Sequence, residues 1–349
     1  MKIEIQPFTV HKRFALTISR GTTAQTTNIW VKIEHEGIEG WGEASPFSTG
    51  IEPQTTEILL KALQTISQIS ETFNPHNRQQ IERVLNELKT PSAARAAIDT
   101  ALHDWIGKKA QMPLWKMWGL NSTYIPPTSV TIGINTPEKV KERVRDWLNL
   151  TQAKILKVKL GSPDGIEADK AIILAVKEQA PTTTQITIDA NGGWNLENAI
   201  KMSEWLAEQQ IKYVEQPLPR GQENDLPALK KRSPLPIFVD ESCFTSRDIP
   251  PLANCVDGIN IKLMKAGGLT EALRMIHTAK ACGLQIMFGC YSDSTLANTA
   301  MSHLAPLADY LDLDSHLNLT DDFFTGATLQ KGCLTPNENP GIGVTKTHP

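Results

Sequence analysis

Apolar and polar residues alternate through the first fifty positions, as in IWVKIEHEGIEGWGEA. The pattern predicts short antiparallel strands separated by turns at EG and WG. Residues 11–27, between the first two strands, are polar and read as a loop, and SPFSTGIEP reads as another. The period then becomes helical, from Thr55 to Ser70, Asn77 to Lys89 and Ser92 to Lys109. Ser92 is placed to cap the last of these, whose alanines fall where a close neighbour would press. Residues 1–122 therefore form a small α+β domain, ended by Pro126 and Pro127. The tail 323–349, rich in Gly, Pro and Thr, returns to pack on it.

A different rhythm governs residues 123–322. Eight apolar runs follow one another: TSVTIGIN, KILKVKLG, ITIDANGGW, YVEQP, IFVDES, INIKLMKAGG, GLQIMFGC and DYLDLD. Helical sequence fills the gaps, at Pro137–Leu150, Ile166–Gln179, Leu196–Glu208, Leu226–Lys231, Leu269–Ala281 and Ser294–Leu304. Pro250 and Pro251 leave room for only a short helix in the gap after Asp240. Strand-helix units repeated at this interval predict a parallel barrel, of (β/α)7β form, beneath an α+β cap.

Three consecutive runs end in a carboxylate, Asp189, Glu215 and Asp240, and the next ends in Lys265, at steps of 26, 25 and 25 residues. Residues closing consecutive barrel strands meet at one rim, where such folds keep their chemistry. Three acids converging there repel one another unless a divalent cation sits among them. All-oxygen ligation favours Mg²⁺, then Mn²⁺. Lys157 and Lys159 are two apart on a strand and so share a face. The second and sixth strands of eight lie opposite one another, which sets Lys159 and Lys265 on the two sides of a substrate α-carbon.

Positioned acid-base groups contribute about 10²–10⁴-fold, too little for a carbon acid beside a carboxylate, so a Lewis acid must stabilise the enediolate charge. A lysine base must fall from about 10.4 toward roughly 7–8, close to 4 kcal/mol, and positive neighbours such as Lys157 and the cation push that way. Taken singly, an acid after a strand is more often a helix cap, a KVK pair an exposed strand face, and Lys265 before GG a surface turn. Five polar groups closing successive strands in register is not what capping produces. His303 and His316 have no ligand spacing, and no HExxH, nucleophile elbow or GxGxxG occurs.

Composition narrows the setting. The 349 residues carry a formal net charge of −3, which gives no electrostatic case for nucleic acid or an anionic membrane. Five cysteines without paired spacing and an amino terminus without a signal-like apolar core point to the cytoplasm.

KVK, DAN, EQP, DES and KLMKAGG, with GWGEA and AAIDTALHDWIGKKAQMPLWKMWG earlier, resemble the enolase superfamily, muconate-lactonising subgroup, over essentially the whole chain. Its sites combine a Lys or His base with Mg²⁺. Within the subgroup DLD looks like the dipeptide epimerases, which implies that Asp312 and Asp314 hold the substrate ammonium. The resemblance further implies that Thr131 contacts substrate, that Cys290 lines the pocket and that Lys157 helps bind the carboxylate. Arg20 resembles the arginine that meets a glutamate side chain, which favours L-Ala-D/L-Glu from peptidoglycan turnover, with other dipeptides open. Asp293 stands where relatives usually carry glutamate. A homo-oligomer is expected, as is common for such barrels. The alternatives are a β-eliminating enzyme like o-succinylbenzoate synthase, against which Asp312 and Asp314 argue, and a catalytically silent binding barrel.

Overall fold

Residues 1–44 build a three-stranded antiparallel sheet from β1 (Lys2–Ile18), β2 (Gly21–His35) and β3 (Ile38–Ala44). The computed structural model describes residues 1–347. The polar stretch 11–27 is not a loop. β1 and β2 run on through it, pairing from Lys2–Glu34 to Ile18–Gly21 with one irregularity between His11 and Leu16. The distal half of this hairpin overhangs a cavity instead of covering a core, so the apolar alternation used to recognise strands is missing there. WG is likewise no turn, because Trp41 and Gly42 lie inside β3.

Helices α1 (Thr56–Ile69), α2 (Arg78–Glu87) and α3 (Ser92–Lys109) pack beneath the sheet. The alanines of α3 do meet a close neighbour. A Cβ at Gly42 would stand 2.0 Å from the Ala97 carbonyl oxygen, so only glycine lets β3 lie on the helix. Ser92 is not the cap. Pro91 holds that position, and Gln54 reaches in to accept the Ala93 N–H at 3.0 Å while donating to Ser92 Oγ.

Eight parallel strands follow: β4 (Val130–Ile132), β5 (Ile155–Lys159), β6 (Gln185–Asp189), β7 (Val214–Glu215), β8 (Ile237–Val239), β9 (Gly258–Lys262), β10 (Gln285–Gly289) and β11 (Tyr310–Asp312). They pair in sequence order, and a Thr128–Leu311 bridge closes β11 onto the start of β4. A helix fills each of the seven connections, the shortest being Ile249–Leu252 after β8. Inside the barrel Tyr213, Phe238, Met287 and Tyr310 form an apolar floor. The next inward residue on each of those strands, two positions on, is Glu215, Asp240, Gly289 or Asp312. The barrel thus changes from apolar to charged within one pleat. No helix among the described residues is long and apolar enough to cross a membrane.

The returning tail packs against the first unit. Phe324 makes edge contacts with Phe8 and Trp41, and Gly341 accepts the Leu114 N–H at 3.1 Å. We propose a division at residues 122 and 123, with 323–349 belonging to the cap; His348 and Pro349 lie outside the described residues. His303 pins the three segments together. Its Nδ1 accepts from Trp115 N at 3.3 Å, and its Nε2 donates to Ile342 O at 3.0 Å. Both ring nitrogens are thereby committed to the neutral form, and burial pushes its pKa down to about 4.

A histidine depressed on folding binds its proton first in the unfolded chain, so stability falls as pH drops below about 6.5. Between pH 7 and 5 this residue accounts for about 2 kcal/mol of lost unfolding free energy. In His303→Gln the same pH step, followed by denaturant titration, is expected to cost about that much less. An identical pH dependence in the two proteins would refute the assignment.

Candidate active site

The inward ends of β5 to β9 and β11 bring eight charged side chains to the barrel mouth. Asp189, Glu215 and Asp240 offer carboxylate oxygens within 4.8 Å of one another, all buried. Register places them, since Lys159 pairs with Asp189 and Asp189 with Glu215 across neighbouring strands. Asp189 is aimed by Asn191, whose backbone N–H donates to Oδ1 at 2.8 Å and whose Nδ2 donates to Oδ2 at 3.0 Å. Asn260 Nδ2 donates to Glu215 Oε1 at 2.7 Å. Among the described residues, the remaining oxygen of Glu215 and both of Asp240 accept no hydrogen bond of good geometry and form ion pairs with lysine ammoniums.

Burial raises all three acids, and the lysines decide the outcome. At Asp240 the burial effect is outweighed by Lys262 and Lys265, which hold it well below the usual carboxylate range. Asp189 is lowered in the same way by Lys159 and Lys157. Glu215 is pushed up to about 7 by burial and by the neighbouring Asp189 and Asp240, despite Lys157. That residual repulsion, with converging hard oxygens, fits a divalent cation.

The lysines divide into two kinds. Lys159 Nζ lies 2.6 Å from Asp189 Oδ2 and lines the chamber above. Lys157 is fully buried one layer lower, with Nζ 2.6 Å from Glu215 Oε2 and also on Asp312. It reaches neither cavity, contrary to the expected contact with a substrate carboxylate, because these acids already surround it. Its pKa stands well above the usual value, as Asp312, Glu215 and Asp189 overcome burial.

Lys265 also departs from expectation. It does not close the sixth strand, because β9 ends at Lys262 and the backbone turns into the short helix Leu263–Ala266. Lys265 Nζ points into the wall, where it donates to the carbonyls of Asp240, Cys243 and Asn260 and touches Asp240 Oδ1. The lysine at the mouth is Lys262, 2.8 Å from Asp240 Oδ2 and lining the same chamber as Lys159. The signal was available. Asn260 and Lys262 share a face by the alternation already applied to Lys157 and Lys159, whereas a constant step of 25 says nothing about direction.

Two spaces that share Lys159, Cys290 and Tyr291 in their linings lie over these groups. A small one of about 60 Å³ is lined by Thr131, Lys159, Cys290, Asp312 and Asp314, with Lys12 from the hairpin. Asp312 ends β11 on its inward side, whereas Asp314 follows the strand and faces this space through a turn and not through strand alternation. Asp312 is occupied by Lys157 and by Ser129 Oγ at 2.7 Å. Asp314 accepts the Thr131 N–H at 2.7 Å and is pushed up to about 6 by burial and by Asp312. Burial pushes the Cys290 thiol up to about 12, so it lines the pocket as a neutral group.

The larger chamber, about 960 Å³ and open to solvent, is walled by the hairpin and by Phe47, Tyr291 and Ile18. Arg20 borders it, but its guanidinium is already bound, at 2.8 Å to Glu241 Oε1 and at 2.8 Å to the Asn191 carbonyl. Neither Glu241 nor Tyr291 stood out in the sequence, since neither falls in the repeat of strand-closing charges.

Millimolar Mg²⁺ or Mn²⁺ is expected to raise the thermal midpoint, by about 2.7 kcal/mol of stability at a hundredfold excess over Kd. Glu215→Gln should abolish the cation-induced rise. Equal midpoints with and without cation in the unmodified protein would rule out a metal site.

Comparison with known proteins agrees with this geometry. Residues 2–119 match the family described as mandelate racemase / muconate lactonizing enzyme, N-terminal domain, and residues 139–348 match "Enolase C-terminal domain-like". A hydrophobic dipeptide epimerase of Flavobacteria bacterium is 45% identical over 99% of this chain and 98% of its own length. An L-Ala-D/L-Glu epimerase of Bacteroides thetaiotaomicron is 38% identical over 99% and 88%. The crystal structure of a dipeptide epimerase from Enterococcus faecalis, complexed with Mg and L-Leu-L-Tyr, superposes with a TM-score of 0.91 at 33% identity, covering 99% of each chain. With both of its halves matched and relatives this similar over its full length, the chain belongs to the mandelate racemase and muconate lactonizing enzyme family of the enolase superfamily, among its dipeptide epimerases.

Proposed function

We propose that this protein epimerises dipeptides, exchanging the α-proton of the C-terminal residue between the two faces of its carbon. One observation carries the reading: Lys159 and Lys262 sit on strands four apart in a ring of eight and line one chamber beside the carboxylate trio. A carbon between them has an ammonium or amine on each side. One lysine takes the proton from carbon, the bonding electron pair passes into the adjoining carboxyl group, and the other lysine returns a proton to the opposite face. Mg²⁺ held by Asp189, Glu215 and Asp240 supplies the Lewis acidity that stabilises the charge on that carboxyl group. Lys157 and Lys265 keep the acids aimed from behind, as positioning residues.

Asp314 is the group best placed to hold the substrate ammonium, since Asp312 already has Lys157 and Ser129. An ammonium site argues against a β-eliminating activity on a substrate with no amine. For the C-terminal side chain, an apolar residue suits the Ile18 and Phe47 walls, because the Arg20 charge is compensated by Glu241. L-Ala-D/L-Glu, as released in peptidoglycan turnover, is the second reading, supported by Arg20 bordering the same chamber. Five free cysteines support a cytoplasmic setting.

Following α-proton exchange in heavy water by NMR, with L-Ala-L-Leu and L-Ala-L-Glu, tests both levels. Lys159→Ala and Lys262→Ala are each expected to abolish exchange from one stereoisomer, a different one in each case. Equal loss from both isomers in both variants would sink the two-base arrangement, and loss of water from the substrate would indicate elimination.

Asp314 gives a pH signature. Its carboxylate is the form that binds an ammonium, and with a pKa of about 6 it is lost as pH falls. KM is therefore expected to rise about tenfold between pH 7 and 5, with kcat much less affected. Asp314→Asn should start at the high KM and lose the dependence.

A further inference from the structure

Tyr291 follows Cys290 at the end of β10 and has no part in the scheme above. Three features single it out. Its ring stacks on Phe47 of the cap, with centroids 4.4 Å apart and planes within 12°. The ammonium of Lys262 lies 4.5 Å from its ring centroid. Its hydroxyl is buried without a hydrogen-bond partner among the described residues, and the side chain lines both the small cavity and the large chamber. Stacking on one side and the cation on the ring describe a rigid plate held between cap and barrel.

The plate matters because of what else holds Lys262. Among the described residues its only ion pair is with Asp240, at 2.8 Å, and Asp240 is one of the three carboxylates assigned to the metal. A cation there would share that carboxylate, whereas the Tyr291 ring would still be left to Lys262. A lysine has four rotatable bonds, and one contact leaves its ammonium free to sweep the chamber. An aromatic face attracts an ammonium through the ring quadrupole, most strongly where water is excluded.

We propose that Tyr291 is a positioning residue for Lys262, whose π face holds the ammonium at the distance and angle needed to reach the α-carbon from that side. The proposal rests on the reading of Lys262 as one of two opposed acid-base groups. It makes a prediction that general packing does not, because only one face of the substrate carbon depends on Lys262.

The test uses the Mg²⁺-loaded full-length enzyme and α-proton exchange in heavy water, measured separately from the L,L and L,D isomers of one active dipeptide. Lys262→Ala identifies the isomer whose exchange depends on that lysine. Tyr291→Leu, which keeps an apolar side chain and removes the π face, is expected to slow exchange from that isomer about tenfold and leave the other near wild type. Tyr291→Phe, which keeps the face, should resemble wild type from both isomers. Equal slowing from both isomers in Tyr291→Leu, or no slowing from either, overturns the proposal. So does a Tyr291→Phe variant as impaired as Tyr291→Leu, since the hydroxyl would then be the active element. A wild-type enzyme that exchanges no dipeptide overturns the epimerase reading itself, and this proposal with it.

Discussion

Everything at the barrel mouth depends on balancing buried charge. Asp189, Glu215, Asp240 and Asp312 stand within a few residues of an apolar floor, where an isolated carboxylate costs several kcal/mol. Lys157, Lys159, Lys262 and Lys265 answer them nearly one for one. Strand register, not side-chain flexibility, sets most of these partnerships, because every one of these charged residues except Lys265 is an inward one at or near the top of its strand. Lys157 bridging Glu215 and Asp312 ties the carboxylate trio to the acids that line the small cavity.

The balance is incomplete in an informative place. Glu215 is pushed up to about 7, which marks the centre of the trio as short of positive charge even with four lysines nearby. A site so poised takes up a divalent cation with a gain in stability. The two lysines that line the chamber differ from the two behind it in solvent access and chemistry. Lys265, fixed by three backbone carbonyls, resembles a structural strut, while Lys159 and Lys262 have one short carboxylate contact each.

The cap does more than cover the mouth. Glu43, from β3, accepts N–H groups of Ser294 and Ala297 at the start of the helix after β10, where the helix dipole favours an anion. Arg20 reaches down from the hairpin to Glu241, and Phe47 lays its ring on Tyr291. These three contacts fix the cap over the β8 and β10 ends. Charge and ring geometry introduced by the cap therefore belong to the chamber as much as the barrel residues do.

Much of this was written in one dimension. A step of about 25 residues between apolar runs identifies β6 to β9 and the acids that close three of them, because a parallel strand and its returning helix need a near-constant length of chain. Alternation set Lys157 and Lys159 on one face. Spacing counts residues and carries no direction, so it named Lys265, whereas the extended backbone at Lys262 (φ −115°, ψ 134°) keeps that residue in the strand and the turn after it swings Lys265 into the wall. The reach of β1 and β2 over residues 11–27 was equally hidden, since strands facing a cavity need no apolar stripe. Pairing of Arg20 with Glu241, and of Tyr291 with Lys262, joins residues far apart in the chain. Local sequence determined which groups the strands would carry; only the closed barrel and its cap decided which of them meet, because that depends on where each strand ends and which way its last side chain points.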